Sequence, residues 1–269
     1  MNWIHCVSVP WLKARKDVLT ASDVVRLAPE WKRVKAKKQN AADILPMFAS
    51  LWCEKNTTTE PDPISVGAAA RGHFMEPYAV QTFNEYISGR THPPFEMYHW
   101  DDCIIKNNGL GFSPDACNVK QMVEGVECIV NASRDQLIFS GEKKHILPAP
   151  KEIVEIKSYS PGQHMKSILK DKMEHEELMQ IAVAFAVLPK LKKANLMFYC
   201  PDAPYPVRIF EYSRKDLKDQ IEMAVEISEL YAAQSLKMEN LDIEYIKPVC
   251  SDAEVYRLEM TDDLGTRIR

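Results

Sequence analysis

The sequence predicts an α/β (α+β) protein with a mixed central β-sheet flanked by helices. Two patterns lead to this prediction. Segments with apolar residues at helical spacing are interleaved along the chain with short segments in which apolar and polar residues alternate. The chain of 269 residues is 46% hydrophobic and 27% charged, which is typical of a globular protein with a sizeable core.

A helix start is expected at Thr20, where the chain reads T-A-S-D through Asp23. Hydroxyl and carboxylate oxygens at such a start accept hydrogen bonds from the unpaired N–H groups of a first helical turn. We expect this helix to be short and to end at about Leu27. The run WKRVKAKK at 31–38 has too few apolar residues to belong to the core. It is expected to be a solvated face or loop, or else a strip that follows a phosphate backbone.

Residues 64–88 are expected to form a helix with a weak point at Pro77. The apolar residues that recur there at helical spacing are Phe74, Tyr78, Phe83 and Ile87. Segments of strand-like composition follow at 95–100, 102–106, 126–132 and 136–140. The turn sequence NNGLG at 107–111 predicts one hairpin, and the last two segments predict another.

The segment EIVEIKSY at 152–159 predicts a strand that directs two charged side chains to one face. From His164 to Leu188 the chain predicts a helix, and its strongly apolar second half indicates burial between the sheet and another layer. Two further strands are expected, at 194–200 and 206–212.

A long amphipathic helix is expected at 214–237. The apolar residues on one side of it are Leu217, Ile221, Val225 and Leu230. Neither an internal repeat nor a low-complexity linker interrupts the chain, so a single domain over residues 1–269 is expected.

The net charge of -4 and the pI near 6.0 give no global positive field, which argues against a protein that coats nucleic acid by charge alone. The charge is nevertheless uneven, because residues 1–40 carry nine Lys or Arg against three Asp or Glu, whereas 211–269 carry eight against fourteen. Local binding of nucleic acid therefore stays open.

Several other classes of protein are disfavoured. No glycine-rich phosphate loop is present, which disfavours ATP and dinucleotide chemistry. The seven cysteines form no C-x-x-C pair, which disfavours zinc knuckles and iron-sulfur clusters and is typical of reduced intracellular thiols. Without a signal peptide or a membrane-length apolar segment, the protein is expected to be soluble and intracellular, in the cytoplasm or in an infected host cell.

One group of residues carries chemistry, namely Asp115, Glu155 and Lys157. On a strand, Glu155 and Lys157 share a face about 6.6 Å apart, so both can meet an aspartate from a neighbouring strand. Two carboxylates can hold one or two Mg²⁺ ions, and the lysine can hold or deprotonate an attacking water. An E-x-K sequence by itself is most often a solvated ion pair.

Three further residues strengthen the interpretation. Pro114 forces an extended backbone directly before Asp115. Glu76, on the predicted helix 64–88, is available as an additional metal ligand. Gln180 lies in a stretch that is otherwise apolar, where an amide needs a partner, either a substrate or simply the backbone.

These residues, in this order, resemble the lambda-exonuclease or YqaJ-like viral recombinase family of the PD-(D/E)xK nuclease superfamily. The segment WLKARKDVLTASDV at 11–24 resembles the opening segment of that family. The resemblance covers about residues 11–200, and the motifs that carry it are G-x-x-x-E-P-x-A at 72–79, G-x-S-P-D at 111–115, E-I-K at 155–157 and Gln180.

The resemblance implies a restriction-endonuclease-like core and a Mg²⁺-dependent site in which Mn²⁺ can substitute. Asp115 and Glu155 would bind the metal together with the Ile156 carbonyl, and Lys157 would position the nucleophilic water. Glu76 would support a second metal or the water, and Gln180 would orient the lysine or the scissile phosphate. By the same resemblance, the residues of a pocket for the 5′-phosphate of a DNA end would be Arg15, Ser22 and Ser113.

Family members digest one strand of linear double-stranded DNA from its 5′ end, which leaves 3′ overhangs for phage or viral recombination. They often form a ring-shaped homotrimer around DNA and commonly act beside a single-strand-annealing protein. Asp115 and Glu155 lie 40 positions apart here, so an inserted hairpin is expected at about 119–150. The alternatives are a RecB-like or Cas4-like nuclease of other polarity, and a non-catalytic protein that binds DNA ends.

Overall fold

A computed structural model describes residues 4–6, 9–56, 64–88, 96–100, 103–120, 129–132, 136–139, 145–170 and 173–241. Contacts divide the chain into two units, Met1–Met238 and Glu239–Arg269, and only 239–241 are described in the second. The helices are α1 (Val9–Lys16), α2 (Ala21–Lys35), α3 (Pro46–Asn56), α4 (Ala68–Ser88), α5 (Pro161–Ile168), α6 (His175–Val187) and α7 (Lys218–Glu239). No described helix has both the length and the apolar composition needed to cross a membrane.

The strands form two five-stranded sheets and one two-stranded sheet. They are β1 (Ile4–Cys6), β2 (Ile64–Val66), β3 (Tyr98–His99), β4 (Ile104–Asn107), β5 (Leu110–Phe112), β6 (Ala116–Cys117), β7 (Ile129–Ala132), β8 (Gln136–Phe139), β9 (His145–Pro148), β10 (Glu152–Lys157), β11 (Lys193–Tyr199) and β12 (Val207–Tyr212). The predicted mixed sheet flanked by helices is therefore confirmed.

The first five-stranded sheet has the order β12-β11-β10-β6-β3. Strands β10 and β11 are parallel and the other pairs are antiparallel, so the sheet is mixed. In β11 every residue from Ala194 to Tyr199 is buried, as expected for a central strand covered on both faces. The predicted strands 152–159, 194–200 and 206–212 correspond to β10, β11 and β12.

The second five-stranded sheet has the order β5-β4-β7-β8-β9. Strands β4 and β5 form the predicted hairpin, and both Asn108 and Gly109 at its turn have positive φ (49° and 76°). Strands β7 and β8 form the second predicted hairpin. Together with β9 they account for the described part of the segment 119–150, whose residues 121–128, 133–135 and 140–144 lie outside the description.

Helix α6 is the centre of the main core. Met179 and all residues from Ile181 to Phe185 are buried, because the helix packs against α2, against β4 and β5 of the second sheet and against β11 of the first. The prediction that this apolar segment lies between a sheet and a second layer is confirmed.

Three predicted helix bounds are wrong, and one of them is the start of α7, which lies at Lys218 and not at 214. Helix α2 does not end at Leu27 but continues past Pro29 to Lys35, so five of the eight residues of the basic run 31–38 are helical. Tertiary contacts extend it, since the Trp31 indole donates to Glu226 Oε2 at 2.9 Å. Lys32 and Arg33 remain exposed, as a solvated face requires.

The helix predicted at 64–88 begins only at Ala68, because Ile64–Val66 pairs with β1 as a strand. Its predicted apolar face is also partly wrong. Phe74 and Tyr78 are each about half exposed and contact one another with ring centroids 5.8 Å apart, whereas Phe83 is buried.

The single helix predicted from His164 to Leu188 is two helices, α5 and α6. The second one has its own start, where the Glu174 N–H donates to Glu177 Oε2 at 2.9 Å. In α7, Val225 is exposed rather than part of the apolar face, which is formed by neighbours such as Ala224 and Ile227.

Candidate active site

A cleft of about 210 Å³ opens where helices α1, α2, α4 and α6 meet strands of both five-stranded sheets. Six residues that the sequence singled out line this cleft together, namely Arg15, Ser22, Ser113, Asp115, Glu155 and Gln180. The other lining residues are Trp11, Thr20, Ala21, His73, Ile104, Gly111 and Phe112. Residues from four widely separated parts of the chain therefore converge on one surface.

Asp115 reaches the cleft because it directly precedes the short strand β6. That strand pairs with β10 only at Ile153 and Val154, which leaves the Ile156 N–H free to donate to Asp115 Oδ2 at 2.6 Å. A strand residue directs its N–H and its C=O to the same side. We therefore expect the Ile156 carbonyl to face the Asp115 side as well.

Glu155 and Lys157 share one face of β10, as period-two geometry predicted. Lys157 Nζ lies 2.8 Å from Glu155 Oε1, and both side chains are largely buried. Burial opposes the charged amine, but the charges of Glu155 and Asp115 outweigh it and raise the pKa of Lys157. The lysine therefore keeps its proton and can hold a water molecule by donating a hydrogen bond.

The carboxyl group of Asp115 lies in an environment with too much negative charge. Burial raises its pKa well above the ordinary value, and the charges of Glu155 and Glu76 raise it further. Lys157 and the Ile156 N–H offset this only in part. A cation bound beside Asp115 would relieve the repulsion.

The donor groups present fit a hard cation. Among the residues that the structure describes, no three Asp, Glu, His or Cys side chains converge closely enough to hold a metal ion by themselves. Asp115 and Glu155 would therefore need a backbone carbonyl or water as additional ligands. Carboxylate, carbonyl and water oxygens are the ligand set that Mg²⁺ prefers.

Glu76 is held by two histidines. Its Oε1 lies 3.3 Å from His73 Nδ1 and its Oε2 lies 3.4 Å from His99 Nε2. Although burial disfavours its charge, the hydrogen bonds from these histidines lower the pKa of Glu76 to about 2. His73, rather than Glu76, is among the lining residues of the cleft.

The sequence interpretation assigned no role to either histidine. The i, i+3 spacing of His73 and Glu76 on one helix was a usable signal for their contact. His99 belongs to β3, and no sequence pattern connects it to Glu76.

Gln180 lies on α6, is half-buried and lines the cleft. The start of α6 is anchored to the end of β10, because the Tyr159 hydroxyl donates to Glu177 Oε1 at 3.2 Å. One turn separates Glu177 from Gln180. The position of Gln180 relative to Glu155 is thus stabilised by the chain segment that follows β10.

The same cleft also carries a positive charge, at Arg15. The Arg15 guanidinium lies over the Trp11 ring, 4.7 Å from its centroid, and the Trp11 indole N–H donates to Ser113 Oγ at 2.8 Å. Burial lowers the pKa of Arg15 while the nearby carboxylates of Asp23 and Glu155 raise it. An arginine remains charged under any such shift.

Ser22 lies in the first turn of α2, where the predicted helix start at Thr20 is confirmed. The N–H and the hydroxyl of Thr20 each donate to Asp23 Oδ2 at 2.9 Å, and the Thr20 and Ser22 hydroxyl oxygens lie 3.0 Å apart. A helix N-terminus favours anions. Arg15, Ser22 and Ser113 therefore form a polar corner suited to a phosphate group.

No protein-family model and no curated protein matches the chain. Among solved structures, the fold is similar to that of LHK-Exo in complex with dAMP, with 18% identity and a TM-score of 0.53, covering 92% of this chain and 98% of that one. LHK-Exo from Laribacter hongkongensis, described as an alkaline exonuclease, matches again with 19% identity and a TM-score of 0.52, covering 86% and 94%. The chain thus shares the fold of an exonuclease, in agreement with the resemblance drawn from its motifs.

Proposed function

We propose that this protein is a Mg²⁺-dependent exonuclease that hydrolyses linear double-stranded DNA from the 5′ end. One observation carries the proposal, namely that the cleft joins a carboxylate end at Asp115 and Glu155 to a phosphate-binding corner at Arg15, Ser22 and Ser113. The shared fold supports it, since LHK-Exo is an alkaline exonuclease and dAMP in one of its structures is a deoxynucleoside monophosphate.

In this proposal Asp115, Glu155 and the Ile156 carbonyl hold the cation, with Glu76 available to support a second ion or the water. When bound, Mg²⁺ or Mn²⁺ would polarise the scissile phosphate and acidify a coordinated water. Mutual repulsion between the carboxylates of Asp115, Glu155 and Glu76 supports this assignment, because a divalent cation neutralises it.

Lys157 then acts as an ammonium group. Glu155 and Asp115 raise the pKa of Lys157, which supports an ammonium group that can hold the nucleophilic water by donating a hydrogen bond to it. The amide of Gln180 orients the scissile phosphate, or Lys157 itself, from the other wall of the cleft.

The polarity of digestion follows from the phosphate corner. A guanidinium and two hydroxyl groups can bind a terminal phosphate dianion through charge-assisted hydrogen bonds. A strand whose 5′-phosphate occupies this corner presents its adjacent phosphodiester bond to Asp115 and Glu155, so mononucleotides leave from the 5′ end. A ring-shaped homotrimer, a single-strand-annealing partner and a role in phage or viral recombination are proposals that rest on the sequence resemblance alone.

The test is digestion of linear duplex DNA labelled at either end, with covalently closed circles as a second substrate. We expect Mg²⁺-dependent release of the 5′ label as a mononucleotide, retention of the 3′ label, and intact circles. Nicking of the circles, or earlier release of the 3′ label, would contradict the proposal. Binding of DNA ends without release of either label would instead identify a non-catalytic end-binding protein.

A further inference from the structure

We propose that Lys55 is a positioning residue that organises the phosphate-binding corner from behind, an inference that rests on the proposed function. Lys55 lies on α3 and does not line the cleft of the candidate active site. Its ammonium group donates to the carbonyl oxygens of Arg15 at 3.2 Å and Val18 at 2.7 Å, and it lies 3.0 Å from Asp23 Oδ2. An ammonium group has three protons, so all of them are used.

These three acceptors belong to three successive pieces of the chain. The Arg15 carbonyl is in the last turn of α1, where carbonyl groups have no partner within the helix. Val18 is in the connection between α1 and α2, and Asp23 is in the first turn of α2. One buried cation, only 11% exposed, therefore fixes the angle at which α1 and α2 present Arg15 and Ser22 to the cleft.

The network continues to Ser22 through Thr20. The Thr20 hydroxyl donates its only proton to Asp23 Oδ2, so Ser22 must be the donor in its 3.0 Å contact with Thr20. A hydroxyl proton can rotate toward a phosphate oxygen without movement of the backbone. The network thus holds Ser22 in place, and a bound phosphate oxygen would replace Thr20 as the acceptor of the Ser22 proton.

The charge of Lys55 also matters. The Asp23 carboxylate acts electrostatically on Arg15, whose pKa it raises. The ammonium group of Lys55, which is paired with Asp23, compensates the negative charge of that carboxylate. Without that partner, Asp23 would compete with a phosphate for Arg15 and would repel the phosphate itself.

The chain offers a matched control in Lys237 on α7. This lysine also donates to two backbone carbonyl groups, those of Ala41 and Ala42, but it contacts nothing in the cleft lining. If a lysine that donates to backbone carbonyl groups merely stabilises the fold, Lys55→Met and Lys237→Met will behave alike.

The experiment compares the affinities of the full-length protein for a 5′-phosphorylated and a 5′-hydroxyl duplex, measured by fluorescence anisotropy in EDTA so that no turnover occurs. We expect the wild type to prefer the phosphorylated end and Lys55→Met to lose about tenfold of that preference. Lys237→Met should keep it within about twofold. Thermal unfolding of each variant reports any general loss of stability.

An unchanged preference in Lys55→Met, an equal loss in Lys237→Met, or a wild type without preference would overturn the inference. Should Lys55→Met fail to fold, Thr20→Val breaks the same network at its other end and should lose about threefold, and no loss would count against it. Binding is measured without metal, so its result does not depend on the proposed catalysis. A failure of the proposed catalysis would be detected separately, in the digestion assay, as a lack of digestion that requires Lys157.

Discussion

The two ends of the cleft differ in how their charge is compensated. At the carboxylate end, Asp115 is repelled by Glu155 and Glu76, and its pKa is raised. At the phosphate end, the charge of Arg15 lies against Trp11, and the hydroxyl of Ser113 accepts from the same indole. Lys157 offsets the negative charge around Asp115 only in part, so a bound cation would stabilise that end, and the guanidinium of Arg15 would favour a bound anion at the other.

The difference has a structural origin. Asp115 and Glu155 are fixed by adjacent strands, whose ladder sets their separation. Arg15 and Ser22 are carried by two helices and the short connection between them, and they depend on side chains behind the cleft for their position. In the proposed site, Asp115 and Glu155 thus depend on the sheet for their positions, and Arg15 and Ser22 depend on the helical layer.

A large effect on activity is expected from Lys157→Ala. Without the ammonium group the water loses its hydrogen-bond donor, and kcat for 5′-phosphorylated duplex should fall about 10²- to 10⁴-fold, with DNA binding retained. The control is Lys193→Ala, which also removes a lysine–glutamate ion pair of the sheet. Lys193 Nζ on β11 lies 2.8 Å from Glu152 Oε1 on β10. Equal digestion by wild type and Lys157→Ala would show that the site is assigned wrongly.

At the phosphate end, Arg15→Gln should lower kcat/KM for 5′-phosphorylated ends by about 10- to 100-fold, because one charge-assisted hydrogen-bonding group is lost. Activity on 5′-hydroxyl ends should change little. Arg26→Gln serves as control, because Arg26 is a nearby exposed arginine paired with Glu54. A loss of the same size on both kinds of end would place Arg15 in the chemistry instead of in recognition.

Asp115→Asn should abolish activity and yet stabilise the metal-free protein. The raised pKa of Asp115 means that the folded state favours the protonated form, so its stability falls as pH rises from about 3.8 through that pKa. The amide removes this cost, and at neutral pH unfolding should require about 0.5–2 kcal/mol more. The gain should disappear below pH 3.8, which thermal unfolding across pH can measure.

The matched control for that experiment is Asp216, whose pKa is shifted in the opposite direction. Asp216 is exposed, and hydrogen bonds from the hydroxyl and the N–H of Ser213 lower its pKa. Asp216→Asn should therefore give no stabilisation at neutral pH. If Asp115→Asn also gives none, the electrostatic contrast between the two ends of the cleft is wrong.

The smallest effect is expected from Trp11→Phe, which keeps an aromatic ring under Arg15 and removes only the N–H donor to Ser113. One neutral hydrogen bond corresponds to a loss of about two- to tenfold in kcat/KM for 5′-phosphorylated ends. Trp31→Phe removes a similar indole hydrogen bond, to Glu226, away from the cleft. A larger loss in Trp31→Phe than in Trp11→Phe would contradict the positioning role of Trp11.

Local patterns predicted much of this architecture. The alternation at 152–159 placed Glu155 and Lys157 on one face, and the T-A-S-D sequence placed the start of α2 at Thr20, because both depend on near neighbours in the chain. The motif order also predicted which residues share a cleft, since Arg15, Ser22, Asp115 and Glu155 do so.

Tertiary contacts account for what the sequence could not predict. Helix α2 passes Pro29 because Trp31 bonds to a helix almost two hundred residues later, and the helical period of α4 does not by itself show that Phe74 is half exposed while Phe83 is buried. The contacts of Lys55 and of His99 likewise join segments distant in sequence, so no period or spacing reveals them.

The most direct test of the central claim is a crystal structure of the protein with Mn²⁺ and a 5′-phosphorylated duplex, using the Lys157→Ala variant to prevent digestion. We expect an anomalous peak within about 2.5 Å of carboxylate oxygens of both Asp115 and Glu155, with the terminal phosphate against Arg15. Metal bound elsewhere, or a terminal phosphate remote from Arg15, would contradict it.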